Sequence, residues 1–184
     1  MKITIASGIF PPDSGGPAIY VPKIAEYFGR LGHQVEVICL SNSLKPVADT
    51  YTYPVIRISR KLFLPIRIIK TILAIYISAK KADIIYVNTL GFESYLAGKL
   101  ADRPTVHKVV GDYAWERARN KKLFSGSIDD YQSNNKSILL KIFDWVRSTP
   151  LLKAKSIIVP SQYLATIVEN WGIPKNKIKI IYNA

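Results

Sequence analysis

Three stretches of this 184-residue chain gather residue types that could do chemistry. The first is "GIFPPDSGGPAIY", from Gly8 to Tyr20. It inserts prolines, an acid and two adjacent glycines where a strand-to-helix connection needs only two or three residues. Gly15 and Gly16 let the backbone approach a ligand closely, and the positive N-terminal end of a following helix would favour an anionic group there. A connector whose glycines merely allow the turn is the plain alternative. The second stretch, "VVGDYAWERARN", delivers Asp112, Tyr113, Trp115, Glu116 and Arg117 from a strand end. Two carboxylates, two aromatic rings and a guanidinium could grip a polyhydroxylated molecule by hydrogen bonding and stacking. Equally, Asp112 could cap a helix, with Trp115 in the core and Glu116 solvated.

The third stretch is basic. Lys plus Arg number 26 against 13 acids, a net charge of +13, and no Asp or Glu occurs from Thr50 to Ala82. Such a surface attracts phosphates of a nucleotide, an anionic lipid or a nucleic acid. On a helix, Arg67, Lys70, Thr71, Ala74, Ser78 and Lys81 form one stripe beside a broad apolar face, a pattern that suits an interfacial membrane helix. Arg60, Lys61, Phe63, Arg67 and Lys70 are the membrane-facing candidates. A helix packed on a parallel sheet has the same pattern. Other chemistries find no support. Two histidines, one cysteine and no acid cluster make no metal site. The patterns G-x-G-x-x-G, G-x-S-x-G and the P-loop are absent. His107, mid-strand among apolar neighbours, reads as a packed histidine, and His33 as part of a helix end.

These residues must be positioned by alternating elements. Strands are predicted at Lys2–Ala6, Gln34–Leu40, Val55–Ser59, Asp83–Asn88, Thr105–Val110, "SIIVPS" and "KIKIIYN". Helices are predicted over "IAEYFGRLGH", Pro65 to Lys81, "FESYLAGKLA", "SILLKIFDWVRSTPLLKA" with a kink near Pro150, and "SQYLATIVENWG". Pro22 puts the start of the first helix near Tyr20. About 25 polar residues, Gly111 to Lys136, carry no regular structure that the pattern reveals. Alternation of this kind predicts one α/β domain over residues 1–184, a Rossmann-like doubly wound parallel sheet with helices on both faces. Ligands then sit beyond the carboxyl ends of the strands, at the loops after Ala6, Leu40, Ser59, Asn88, Val110 and Pro160. A lone Cys39 among apolar residues, and an N-terminus too short and broken for a signal peptide, predict a cytoplasmic chain. The stop at "IIYNA", directly after a strand, suggests a piece of a longer protein.

Taken in order, "MKITIASGIFPPDSGGPAIYVPKIAEYFGRLGHQVEVI", "ADIIYVN", "VVGDYAWERA" and "IIVPSQYLATIVENWGIPKNKIKIIYNA" resemble the N-terminal domain of GT-B fold retaining glycosyltransferases, group 1 or family 4-like. The resemblance covers the whole chain. It implies the N-terminal, acceptor-binding half of a hexosyltransferase-type enzyme, peripheral at the membrane and building a surface polysaccharide or glycolipid. A C-terminal nucleotide-sugar-binding domain would be missing, and this chain alone would be inactive. Gly15 and Gly16 would meet the donor sugar-phosphate. Asp13, Ser14, Asn88, Tyr113, Glu116 and Arg117 would bind the acceptor, and Asp112 is the catalytic candidate. The implied mechanism uses a nucleotide-sugar and no metal or other cofactor. Gly111 stands where many relatives carry a histidine before the aspartate, and Ala184 departs from their Asn-Gly after Asn183. Two rivals remain: a sugar epimerase or another nucleotide-binding Rossmann enzyme, and a basic nucleic-acid-binding module. The latter lacks any interleaving of basic and aromatic residues.

Overall fold

The computed structural model describes residues 1–42, 51–133 and 135–182; Asn183 and Ala184, on which one comparison with the resembled family turned, lie outside them. In chain order the elements are β1 (Lys2–Ser7), α1 (Gly16–Arg30), β2 (Gln34–Ser41), β3 (Val55–Ser59), α2 (Leu64–Ala79), β4 (Ile84–Val87) and α3 (Gly91–Ala101). They continue with β5 (Thr105–Lys108), α4 (Tyr113–Asn120), α5 (Ile128–Ser133), α6 (Ile138–Lys153), β6 (Ser156–Val159), α7 (Gln162–Asn170) and β7 (Ile178–Ile180). The strand order is β3-β2-β1-β4-β5-β6-β7, with β1 pairing in parallel with both β2 and β4. The expected doubly wound sheet is thus present. Its contacts divide into two compact units, Met1–Val106 and His107–Ala184.

In the first unit the strand alternation explains why both sheet faces are covered. Ala6 lies level with Ile38 on one side and Val87 on the other. These residues join Leu40, Ile58 and Ile85 in a core sealed by Ile75 and Ala79 of α2 and Ala97 and Ala101 of α3. One residue away, the side chains point to the opposite face. There Tyr86 meets α1, with a 2.7 Å hydrogen bond between its hydroxyl and that of Tyr20, and Phe28 edge-on at 5.9 Å. Helix α1 starts at Gly16, four residues before the predicted start, and carries Pro22 within it. The break at Gly15 and a proline in the first turn fix the start. Pro22 forfeits one backbone bond, a loss offset by burial of Ala18, Val21 and Ala25.

Helix α2 packs on the sheet without burying its whole apolar face. Thr71, Ile75, Ser78 and Ala79 are buried, whereas Ile66, Ile69, Leu73 and Ile77 are exposed. Thr71 and Ser78 of the predicted stripe therefore face inward, where their hydroxyls find partners, whereas Lys70 and Lys81 of the same stripe are exposed. Ser78 Oγ pairs with Thr4 Oγ1 at 2.8 Å, and Thr71 Oγ1 donates to the Arg67 carbonyl at 2.8 Å. Buried hydroxyls paired in this way carry little penalty.

The second unit has two cores. Leu151, Ile157, Val159, Leu164, Ile167, Val168 and Trp171 gather α6, β6 and α7. Ala114, Ala118, Tyr131, Leu140 and Phe143 join α4, α5 and α6. The polar stretch after Gly111 thus contains two helices. The signal for α5 was a capping box: Ser127 Oγ accepts from the Asp130 amide at 3.1 Å, and the Asp130 carboxylate accepts from the Ser127 amide at 2.8 Å. Pro150 lies inside α6 and is buried.

His107 is buried, 3% exposed, and desolvation pushes its imidazole from 6.5 down to about 3. The unfolded chain binds that proton below about pH 6.5, the folded chain only near pH 3. The stability contributed by the neutral ring is therefore complete above the unfolded value and is lost as pH falls toward the folded one. Urea titrations of wild type and His107→Gln between about pH 6.5 and 5 should show a shallower pH slope in the variant, by up to about 1.4 kcal/mol per pH unit. Equal slopes would contradict the buried neutral imidazole.

Candidate functional site

In the first unit the winding of the sheet reverses beside β1. The crossover through α1 leads toward β2 and β3, and the crossover through α2 returns to place β4 on the other side of β1. Connections departing in opposite directions leave a crevice beyond the carboxyl ends of β1 and β4. Two segments rim it: Gly8 to Gly15 from β1 and Asn88 to Leu90 from β4. The Asn88 and Thr89 amides both donate to the Ala6 carbonyl, at 3.0 and 3.4 Å. The Gly8 amide donates to Thr89 Oγ1, and Ser7 Oγ to the Ile9 carbonyl at 2.7 Å. Asn88 is only 7% exposed, and its Nδ2 has no hydrogen-bond partner among the described residues. A buried amide left this way costs free energy that a ligand acceptor would recover.

Two arginines from β3 and its end hold the loop. Arg57 lies over the fully buried Phe10 ring at 5.3 Å and donates to the Pro11 carbonyl at 2.7 Å. Arg60 donates to the Gly8 carbonyl and pairs with Asp13 at 3.1 Å. Arg60 is thereby removed from the membrane-facing candidates: its guanidinium is used by this loop. Arg67 likewise turns inward and donates to the Arg60 carbonyl at 2.8 Å. Lys61, Phe63 and Lys70 are exposed. Asp13 is mostly covered by its pairing with Arg60, whereas Ser14 is exposed.

The loop ends at a bare helix mouth. Gly15 has φ +143°, a conformation that L side chains rarely adopt. Among the described residues no side chain caps α1, and no acid lies in its first turn. A β-carbon added at Gly16 would meet nothing within 4 Å. Among the described residues, nothing therefore stands against the positive end of this 15-residue helix at Gly16. Sequence reasoning singled out Gly15, Gly16 and Asn88 but missed Arg57 and Thr89 as partners of this edge. Glu93 sits in the first turn of α3, where burial raises its carboxyl pKa against the opposing pull of its own backbone amide and of Arg67.

In the second unit, the capping alternative for Asp112 is the one observed. Its carboxylate is fully buried and accepts from the Ala114 and Trp115 amides at 2.9 and 3.2 Å. It also takes Arg147 Nη1 at 2.9 Å and Gln132 Nε2 at 2.9 Å. Arg147 in turn lies 4.1 Å from the Trp171 ring centre and 3.1 Å from Asp144. Trp171 Nε1 donates to Gln132 Oε1 at 2.9 Å. Trp115 also takes its core reading, packing beside Ala114 and Tyr131 while Nε1 donates to the Gly126 carbonyl at 3.1 Å. Arg117 stacks on Tyr113 at 5.8 Å and Phe143 at 5.4 Å. Tyr113 and Glu116 stay exposed. The Glu116 carboxylate lies so close to Gly111 that a β-carbon there would meet Oε1 at 2.6 Å. Desolvation, then the charge of Asp112, raises its pKa. Among the described residues no group of three or more His, Cys, Asp or Glu could hold a metal ion, and no helix is long and apolar enough to cross a membrane.

The family model for Glycosyltransferase Family 4 matches residues 14–184. HepE of Anabaena, solved in complex with UDP, superposes with a TM-score of 0.68 at 21% identity, over 100% of this chain and 44% of that one. A glycosyltransferase from Rickettsia africae gives 0.62 at 19% identity, over 100% of this chain and 43% of that one. The UDP-GlcNAc 2-epimerase of Methanocaldococcus jannaschii gives 0.65 at 15% identity, over 98% and 45%. At these identities the structural likeness speaks for the fold alone. The chain spans less than half the length of these structures. No curated protein matches it in sequence.

Asp112 is expected to matter for folding whatever else it does. Asp112→Ala removes a cap and leaves the Arg147 guanidinium, 7% exposed, without a buried partner. Urea unfolding should register a loss of about 3–5 kcal/mol. Glu116→Gln, at an exposed carboxylate, should stay within about 0.5 kcal/mol of wild type. Comparable losses in the two variants would refute the assignment of Asp112 as the anchor.

Proposed function

The chain belongs to Glycosyltransferase Family 4, and on that premise we propose that it is the acceptor-side half of an enzyme that moves a sugar from a nucleotide-sugar to a glycan or lipid-linked acceptor. The observation that carries the proposal is the meeting of two groups at the β1/β4 reversal: an α1 start without a side-chain cap, and a buried Asn88 amide that has no hydrogen-bond partner among the described residues. Substrate phosphate is stabilised at the α1 mouth, where the Gly16 amide and the helix dipole meet negative charge and no side chain of the described residues stands within 4 Å of a Gly16 β-carbon. As the sugar–phosphate bond breaks, charge builds on the leaving phosphate, and this preorganised positive end stabilises it without a metal. The anomeric configuration is retained. Asn88 Nδ2 donates to a sugar hydroxyl, which satisfies the amide on binding.

Asp13 works through Arg60, holding the loop clear of the helix mouth, and Ser14 offers its hydroxyl to the acceptor. At the end of β5, Tyr113 and Glu116 contact acceptor hydroxyls. Asp112 and Arg117 position α4. HepE was solved with UDP, which supports a nucleoside-diphosphate sugar as the donor class. A remaining lobe would supply most of the nucleotide site. The family match is what favours sugar transfer over the epimerase alternative, since the epimerase shares the fold.

Gly16→Val in the full-length enzyme, assayed across a panel of UDP-sugars, should lower kcat/KM at least about a hundredfold with the thermal midpoint unchanged, because the added carbons have space in the fold but occupy the ligand's approach. Near-wild-type turnover would reduce the loop to a connector. The 184-residue chain by itself should turn over no nucleotide-sugar; measurable transfer would overturn the two-lobed reading.

A further inference from the structure

We infer that Thr89 sets sugar specificity, donating its hydroxyl proton to a sugar oxygen that the corresponding deoxysugar lacks. The inference rests on the sugar-transfer reading and deepens it at the same crevice. The regular pairing of β1 with β4 ends at Ala6 and Val87. Beyond it the Asn88 and Thr89 amides share the Ala6 carbonyl, and a side chain takes over from the ladder. Thr89 Oγ1 accepts from the Gly8 amide, while the Gly8 carbonyl accepts from Arg60. Gly8 is thus held through both of its backbone polar groups. A β-carbon on Gly8 would come to 3.0 Å from Thr89 Oγ1, so any side chain there would press on the hydroxyl.

Counting donors decides what that hydroxyl does. A threonine hydroxyl has one proton to give and two lone pairs. The Gly8 amide occupies one lone pair of Thr89, which turns the O–H away from Gly8. Among the described residues none accepts its proton. A hydroxyl that already accepts a hydrogen bond is a stronger donor, because linked bonds polarise one another. Beside it the Asn88 amide nitrogen is buried and has no partner among the described residues. Strand alternation puts Asn88 on the sheet face of Tyr86, whose hydroxyl meets Tyr20 of α1. Two consecutive side chains at the end of β4 therefore carry donors without acceptors. Their complement is a pair of oxygens, which neighbouring hydroxyls of a hexose supply and a deoxysugar supplies only singly. A site built to bond a hydroxyl rejects the analogue without it far more strongly than an apolar pocket rejects a misplaced methylene.

The test gives the full-length enzyme UDP-glucose, UDP-galactose and the mono-deoxy analogues of each, and reads both calorimetric binding and kcat/KM. Wild type should disfavour one mono-deoxy analogue by at least about a hundredfold against its parent sugar. Thr89→Val should lose that preference, treating the analogue and the parent alike within about threefold, and Thr89→Ser should restore it. Thr89→Cys keeps a weak acceptor for the Gly8 amide but is a poor donor, so it should lose the preference as well and carries the test if Thr89→Val fails to fold. A variant that weakens every sugar by the same factor would make the hydroxyl a purely structural tie to Gly8 and overturn the inference. So would a preference that Thr89→Val and Thr89→Cys both retain, or a wild type that binds none of these sugars. Binding that shows the preference without any transfer would leave Thr89 as the selecting residue and overturn the sugar-transfer reading instead.

Discussion

The first unit is organised by one constraint: crossovers in a parallel sheet keep a single hand, so a sheet that grows in both directions from β1 must part its connections there. Because α1 leads one way and α2 brings the chain back to the other side, the connections diverge at the carboxyl ends of β1 and β4. What fills that crevice is decided by side chains. Thr89 ties the two strand ends together through Gly8, and Asn88 is left with a buried amide looking for an acceptor.

A loop of eight residues beside such a crevice could collapse into it. The structure prevents this with anchors outside the crevice. Phe10 is sunk in the fold under Arg57, and Arg60 grips both the Gly8 carbonyl and the Asp13 carboxylate. Rigidity of the loop and accessibility of Gly16 therefore have a common cause. Preorganisation of this sort reduces what a ligand must spend in ordering its site. The second unit uses a similar device: four hydrogen-bond donors converge on Asp112, fixing α4 so that its exposed Tyr113 and Glu116 project from a rigid base.

Much of this was legible in the sequence, and what was not has physical causes. Strands such as Val55–Ser59 and the helix over α3 followed from apolar periodicity, because burial on one or both faces imposes it. The glycine pair stood out because few residue types tolerate that backbone. Arg60 was read as a surface charge: its partners, Gly8 and Asp13, lie about 50 residues away in sequence, and local pattern carries no trace of them. Helix α2 was left with two readings, since periodicity locates two faces but does not say which one the sheet buries when small hydroxyl residues can pair with one another. Helix α4 was visible only as the helix that Asp112 might cap, because its core side chains are alanines, whose weak hydrophobic signal is drowned by the charges around them.

The account stands or falls on where the phosphate of a nucleotide-sugar goes. A crystal structure of the full-length enzyme with an intact donor should place a phosphate oxygen within about 3.2 Å of the Gly16 amide, and a sugar hydroxyl at Asn88 Nδ2. A donor bound with its phosphates remote from the α1 mouth, or a crevice closed by the protein's own side chains, would contradict it.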